Sequence, residues 1–262
     1  MRKNNFRVFA GIKTIFLDIM TDKITDIVIK NIENIAYGYV FTASDFPIDV
    51  TKQKSVNKVL ENLTKAGKIR RLSKGRYYKT KTTEFGELPP DSYQIVKDLL
   101  EENGRLIGYI TGYQIFNELG LTTQVSAILQ IGTIKDKKNT KRSYYRIKFV
   151  KQWNTITKEN IPLLQLLDCL RFFKNIPDAM PTENCQRLLY LLSKLNDNQR
   201  NKIKKLALKY TPQAIALLGA MLETLNPNED VEILRKSLNF QTFYDLSIPQ
   251  EILPTQKKWN IR

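Results

Sequence analysis

The sequence contains no histidine and only two cysteines. Without histidine, the Ser-His-Asp triad, the Cys-His pair, the HExxH zinc protease and imidazole ligation of zinc or haem are excluded. Any catalysis would have to rest on carboxylates, lysine or tyrosine. Cys169 and Cys185 stand apart with no CxxC spacing, so neither a four-ligand zinc site nor a disulfide framework fits. Buried, inert thiols in a reducing compartment are expected, and with them a cytoplasmic location. GxGxxG, GxxxxGK[ST] and GxSxG are also missing, as are paired carboxylates in an informative context. Asp168 and Glu223 fall on amphipathic helices, where solvated or capping roles are expected. The reading is of a binding protein rather than an enzyme, with no cofactor and no metal.

What the chain has in excess is positive charge: 42 Lys and Arg against 26 Asp and Glu, a net charge of +16. A surplus of that size makes nucleic acid the first partner to consider, an acidic protein surface the second and an anionic membrane the third. The apolar N-terminal residues Phe6, Val8, Phe9, Ile12, Ile15, Phe16 and Leu17 are interrupted by Lys13 and Asp18, so neither a signal core nor a membrane span is expected there. Met20 begins a cleaner domain start, with Thr21 or Asp22 as helix cap. Residues 1–19 read as an extension or an upstream start.

Ile24, Ile27, Val28, Ile32 and Ile35 fall at helical spacing before Gly38. A short strand-like link, Tyr39-Val40-Phe41, leads to Thr42, which is expected to cap a brief helix ended by Pro47. Thr51 is expected to cap a third helix running to Lys65, with Val56, Val59, Leu60 and Leu63 forming one apolar face and Gly67 as the stop. Three short helices in this order spell a helix-turn-helix. Lys52, Gln53 and Lys54 occupy the first turn of the third helix, where positive charge opposes the macrodipole. Stability does not explain them. A recognition helix does, with Lys and Gln reading base edges and Ser55, Asn57 and Lys58 reaching bases or phosphates; a merely solvated face is the alternative.

Behind Gly67, residues 68–72 and 76–79 flank Ser73-Lys74-Gly75 as a hairpin, placed where a wing would sit, with Arg70, Arg71, Lys74 and Arg76 available to the phosphate backbone or minor groove. From Asp49 to Lys79 the net charge is +8, half that of the whole chain. The candidate DNA-binding residues are therefore Thr51, Lys52, Gln53, Lys54, Ser55, Asn57, Lys58, Arg70, Arg71, Lys74 and Arg76.

The acidic, proline-containing stretch Glu84 to Pro90 reads as a linker, dividing a winged helix-turn-helix domain at 20–83 from a C-terminal domain at 84–262. In the latter, a helix over 91–102 precedes a strand at 106–110, a short helix at 112–119 and two strands, 126–133 and 143–150, expected to pair antiparallel. The hairpin from Lys135 to Lys151 carries +7; a second nucleic-acid surface and a solvated turn both fit it. Helices are expected at about 159–175, 182–194, 197–209 and 211–226. The last is apolar almost all round, as a central buried helix or a partner-binding one would be, with Gly219 allowing close approach. The tail from Leu238 is rich enough in apolar residues to pack back on the domain. The fold class is α+β: a winged helix, a mixed α/β segment and a helical bundle.

The run Val40-Phe41-Thr42-Ala43-Ser44-Asp45-Phe46, Ser55-Val56, Leu60-Glu61-Asn62-Leu63, Gly67-Lys68-Ile69-Arg70-Arg71, Gly75-Arg76-Tyr77-Tyr78 and Gly86-Glu87-Leu88-Pro89-Pro90 together resemble the AbiEi-type antitoxins of type IV toxin-antitoxin systems. Gly120-Leu121-Thr122-Thr123-Gln124-Val125 and Glu159-Asn160-Ile161-Pro162-Leu163-Leu164 extend the likeness from about Met20 to Arg262. The resemblance implies a bacterial or phage-defence locus encoding this protein beside a nucleotidyltransferase-like toxin. It also implies autorepression of the shared promoter through the winged helix and counteraction of the toxin through the C-terminal domain. The expected partners are double-stranded promoter DNA and that toxin, with no membrane. A winged-helix regulator with a ligand-sensing C-terminal domain, and a protein-only antitoxin meeting an acidic toxin surface, are the alternatives.

Overall fold

The computed structural model describes residues 23–84, 86–178 and 180–262. The expected extension over 1–19, the start at Met20 and the cap at Thr21 or Asp22 lie outside the described residues. The chain is α+β and forms two compact units, one ending at Val96 and one running from Lys97 to Arg262.

In the first unit, helix α1 (residues 23–34) buries Ile24, Val28 and Ile32 at i, i+4 and i+8. Strand β1 (Val40–Phe41) and two 3-10 turns, Ala43–Asp45 and Val50–Lys52, lead to α2 (Gln53–Lys65), β2 (Arg70–Ser73) and β3 (Arg76–Tyr78). Strand β3 pairs antiparallel with both others, giving the sheet order β1-β3-β2. This is a winged helix-turn-helix arrangement. Its core joins Val56, Val59, Leu60 and Leu63 of α2 to the α1 face and to Phe41, Ile69 and Tyr77. The Tyr77 ring stacks on Phe41 at 6.5 Å between centroids and Phe46 meets Phe41 edge-on at 5.8 Å; each such aromatic pair contributes about 0.5–1.5 kcal/mol beyond its buried area.

Two local expectations are corrected. The brief helix after Thr42 is a single 3-10 turn, in which the Asp45 carboxylate accepts from the Thr42 amide at 2.6 Å and the Thr42 hydroxyl at 3.0 Å. The stretch read as linker instead contains strand β5 (Gly86–Leu88), paired antiparallel with β4 (Lys81–Thr83). The division between units falls at Val96, past the boundary expected at 83; within the first unit Glu87 bonds to Arg70 and the Gln94 side-chain Oε1 accepts from the Val40 amide at 3.2 Å.

The second unit begins inside α3 (Ser92–Leu100) and continues through a small hairpin of β6 (Glu101–Glu102) and β7 (Arg105–Leu106). Strands β8 (Gly108–Thr111), β9 (Ile128–Thr133), β10 (Thr140–Arg142) and β11 (Tyr145–Lys151) form one sheet in the order β10-β11-β9-β8, with α4 (Tyr113–Glu118) between β8 and β9. The expected antiparallel pairing of 126–133 with 143–150 is wrong. Strand β11 runs parallel to β9 because the intervening segment supplies β10 as the hairpin partner, and β11 then inserts between β10 and β9. Helices α5 (Ile161–Arg171), α6 (Pro181–Ser193), α7 (Asp197–Ala207) and α8 (Pro212–Leu225) follow, then the short α9 (Glu232–Arg235). Every residue of α8 from Ala214 to Leu222 is buried, and a Cβ on Gly219 would overlap the Trp259 ring. The tail folds back through buried Tyr244, Leu246, Ile248, Leu253, Trp259 and Ile261. Cys169 and Cys185 are free, buried thiols, and burial pushes Cys185 up to about 12. No helix among the described residues is long and apolar enough to cross a membrane.

Asp168 and Glu223 are not solvated. Asp168, 1% exposed, accepts from the hydroxyls of Tyr109 and Thr111 at 2.7 Å each and of Tyr210 at 3.1 Å, while the Gln152 amide donates to both tyrosines at 2.8 Å. Burial raises its carboxyl above the usual range, and the three hydroxyls only partly counter this. For Glu223, burial opposes ionisation, but Lys258, the Trp259 indole and Arg235 outweigh it and hold the carboxyl low.

Gly219→Ala is expected to destabilise by about 1–3 kcal/mol, since the rigid indole must shift to admit a methyl group; urea denaturation reads it, and an unchanged midpoint would count against the packing described. Because the folded state holds the Asp168 proton to higher pH than the unfolded chain, that group's contribution is full below the unfolded value near ~3.9 and declines as pH rises through the folded value. Asp168→Asn should therefore lose less stability than wild type as pH rises above about 4, a trend that parallel urea titrations would reveal.

Candidate nucleic-acid interface

The start of α2 is set by Asp49 rather than Thr51. The Asp49 carboxylate accepts from the Thr51 amide at 2.8 Å and the Thr51 hydroxyl at 2.6 Å, capping the 3-10 turn Val50–Lys52 that leads into the helix. Thr51 is thus a donor inside the first turn, and an Asp two residues ahead is the shorter path to that amide. These two bonds, hydroxyl first, and then Lys52 hold the Asp49 carboxyl below its ordinary value. The capping carboxylate also supplies negative charge at the positive end of the helix, where Lys52 and Lys54 would otherwise meet only the macrodipole.

Along α2 the buried Val56, Val59, Leu60 and Leu63 fix the helix phase. At 100° per residue, Lys54, Lys58 and Lys65 then share the opposite face, and all three are exposed. Lys54 and Lys58 were sequence candidates. Lys65, two turns beyond Lys58, was missed, although the same periodicity marks it. Lys52, Gln53, Ser55 and Asn57 are half-buried on the flanks, and the Asn57 amide donates to the Gln53 carbonyl at 3.0 Å.

In the hairpin, Lys74 stands exposed at the tip beside Gly75, whose φ of +72° the turn requires. Arg71 is exposed, its Nε donating to the Ser73 carbonyl at 3.3 Å, and half-buried Arg76 lies opposite Ser73 in the ladder. Arg70 differs from its neighbours. Its guanidinium makes a two-pronged ion pair with Glu87 at 2.5 and 2.8 Å, and Glu87 raises the Arg70 pKa further. Glu87 therefore neutralises one of the candidate wing cations. The sequence held no local signal of it, because the contact crosses from one hairpin to the next.

Elsewhere, a cavity of about 170 Å³ in the second unit is lined by Leu192, Ser193, Arg200, Leu222, Leu225, Asn226 and Glu229. Its charged groups are already partnered: Glu229 binds Lys204 at 2.7 Å and lies 3.6 Å from Arg200. Among the described residues no cluster of His, Cys, Asp and Glu is arranged to hold a metal ion.

The fold is similar to that in the crystal structure of the Rv2827c protein from Mycobacterium tuberculosis, with a TM-score of 0.51 and 12% identity over 80% of each chain. No curated protein matches the chain. The sequence profile of the DUF6088 family, a family of unknown function, matches residues 23–170, and the chain belongs to that family.

Proposed function

We propose that this chain is a cytoplasmic, double-stranded-DNA-binding antitoxin and autorepressor, which reads promoter DNA with α2 and the β2–β3 wing and counteracts a nucleotidyltransferase-like toxin through its second unit. The observation that carries the DNA-binding part is the exposed stripe of α2 on which Lys54, Lys58 and Lys65 outnumber the one acid, Glu61; none of the three lysines forms an ion pair among the described residues. Such a stripe gains little stability from its position and matches a phosphate-flanked major groove. A duplex is favoured over single-stranded RNA because Tyr77, between the wing cations, is 1% exposed and has no face free for a base. The antitoxin part is supported by the resemblance to the AbiEi-type proteins.

Fluorescence anisotropy of the full chain on its own upstream DNA and on a scrambled duplex, each at two salt concentrations, tests this reading. Tight, sequence-selective binding supports it; weak and equal binding to both overturns it. Lys54→Ala is expected to relax specificity by about 1–3 kcal/mol at one base position, whereas Arg71→Ala weakens every sequence alike and flattens the salt slope by about 1. Equal losses on both duplexes for both variants would remove that division of labour. Glu87→Gln, which releases Arg70, should act in the opposite sense, tightening non-specific binding and steepening the salt slope by up to about 0.9. Co-expression with the product of the adjacent reading frame tests the second half: restored growth is the expected result, and continued toxicity would argue for a plain regulator.

A further inference from the structure

The segment from Lys135 to Lys151 carries +7, and the sheet sorts its cations onto two faces. Side chains alternate along β11, and antiparallel partners share a face. Arg142, across from Tyr145, therefore lies on the face of Ile147, Phe149 and Lys151. The cations there are engaged. Arg142 is 7% exposed and bound to Asp98 at 2.5 and 2.8 Å, Lys151 holds Asp136 at 3.0 Å, and Lys137 lies over the Phe149 ring at 5.8 Å.

The other face is different. It carries Lys141 directly across from Arg146, with Lys148 two residues further along β11, all three exposed. None of the three forms an ion pair among the described residues. Like charges directly opposite one another destabilise a strand pair, so the arrangement opposes stability. Towards β8 the same face is covered: Tyr109 and Thr111 bond to Asp168 of α5, and Gln130 accepts from the Tyr113 amide of α4. Over β10 and β11 it is open to solvent at the three cations.

We infer that the open face of β10 and β11, through Lys141, Arg146 and Lys148, is a second contact for the phosphate backbone of duplex DNA, separate from the winged helix. This rests on the DNA-binding reading above. Lysine is depleted in protein–protein interfaces, whose energy comes from desolvated aromatic and apolar anchors. A protein–DNA interface is more positive and more polar, and its phosphate contacts need no pocket. Three cations on one strand pair give a row of contacts with no base-reading geometry, so the site adds affinity without sequence preference.

The test compares the full chain with a Lys141→Ala, Arg146→Ala, Lys148→Ala variant on a labelled random-sequence DNA duplex and on the upstream duplex across a salt series. A variant with Lys174, Lys236 and Lys257 replaced by alanine removes the same charge from other exposed sites and serves as the control. The first variant is expected to flatten the salt slope by about 2 to 3 on both duplexes, at about 0.9 per phosphate contact, while the control leaves it near wild type. Its thermal midpoint should match or exceed wild type, since a repulsive pair is gone. A slope unchanged in this variant but reduced in Arg71→Ala overturns the inference and leaves the DNA-binding reading intact. Equal flattening by the control reduces the effect to net charge and overturns it too. Loss of binding to an RNA duplex alone would reassign the face to RNA. If wild type binds neither DNA, the DNA-binding reading itself fails and takes the second contact with it.

Discussion

Burial of Val56, Val59, Leu60 and Leu63 against Phe41, Ile69 and Tyr77 is the constraint from which the rest of the first unit follows. Each fully buried aliphatic side chain contributes about 1.5–3 kcal/mol, so rotating α2 about its axis would forfeit more than any surface contact returns. The helix phase is therefore fixed, and Lys54, Lys58 and Lys65 face outward because four apolar residues face inward. Tyr77 belongs to β3, so the hairpin rests on the same core as the helix. The positions that face solvent are free to vary in charge without disturbing the seat that aims them.

A chain with 42 basic and 26 acidic residues cannot pair all its cations, and the structure determines which ones are paired. Arg70, Arg142, Lys151 and Lys204 are held by Glu87, Asp98, Asp136 and Glu229. The more exposed pairs, Arg70–Glu87 and Lys151–Asp136, contribute about 0–1 kcal/mol each, while for buried Arg142 and Lys204 the Coulombic gain is largely offset by desolvation, so pairing itself adds little stability. Its larger consequence is to remove particular cations from the pool available to an anionic partner. Among the exposed cations that form no ion pair among the described residues, Lys54, Lys58 and Lys65 share one face of α2, and Lys141, Arg146 and Lys148 share one face of β10 and β11.

Much of this was legible in the sequence because the signals were local. Helical periodicity marked the inward face of α2 and the approximate limits of α5 to α8, the all-round apolar character of α8 fitted a buried or a partner-binding helix, and the Lys74-Gly75 turn marked the β2–β3 hairpin. The failures were of two kinds. At the start of α2, Asp49 and Thr51 are both good caps two residues apart, and propensity alone does not choose between them. The rest depended on contacts between distant residues. The parallel pairing of β9 and β11 arises from where β10 inserts. The satisfaction of buried Asp168 is set by hydroxyls on residues 59, 57 and 42 positions away, and the neutralisation of Arg70 by a carboxylate 17 positions along.

The Asp168 network bears on why one half of the second sheet differs from the other. A carboxyl group taken out of water is tolerated when hydrogen bonds replace part of the lost hydration; three hydroxyls do so here, while burial still holds its proton to higher pH. Those hydroxyls come from β8 and from Tyr210, so satisfying Asp168 draws α5 down onto the β8 side, where the Tyr109 ring lies across Gly132 of β9 with no room for a side chain. The covering helix is thereby committed to one edge of the sheet. Lys141, Arg146 and Lys148, on the far strands of the same face, stay in water, where their charges remain hydrated and their mutual repulsion is screened by salt. The buried acid and the exposed cations are two results of one packing choice: a helix fixed over β8 covers the strands that can close around it and leaves the charged ones open.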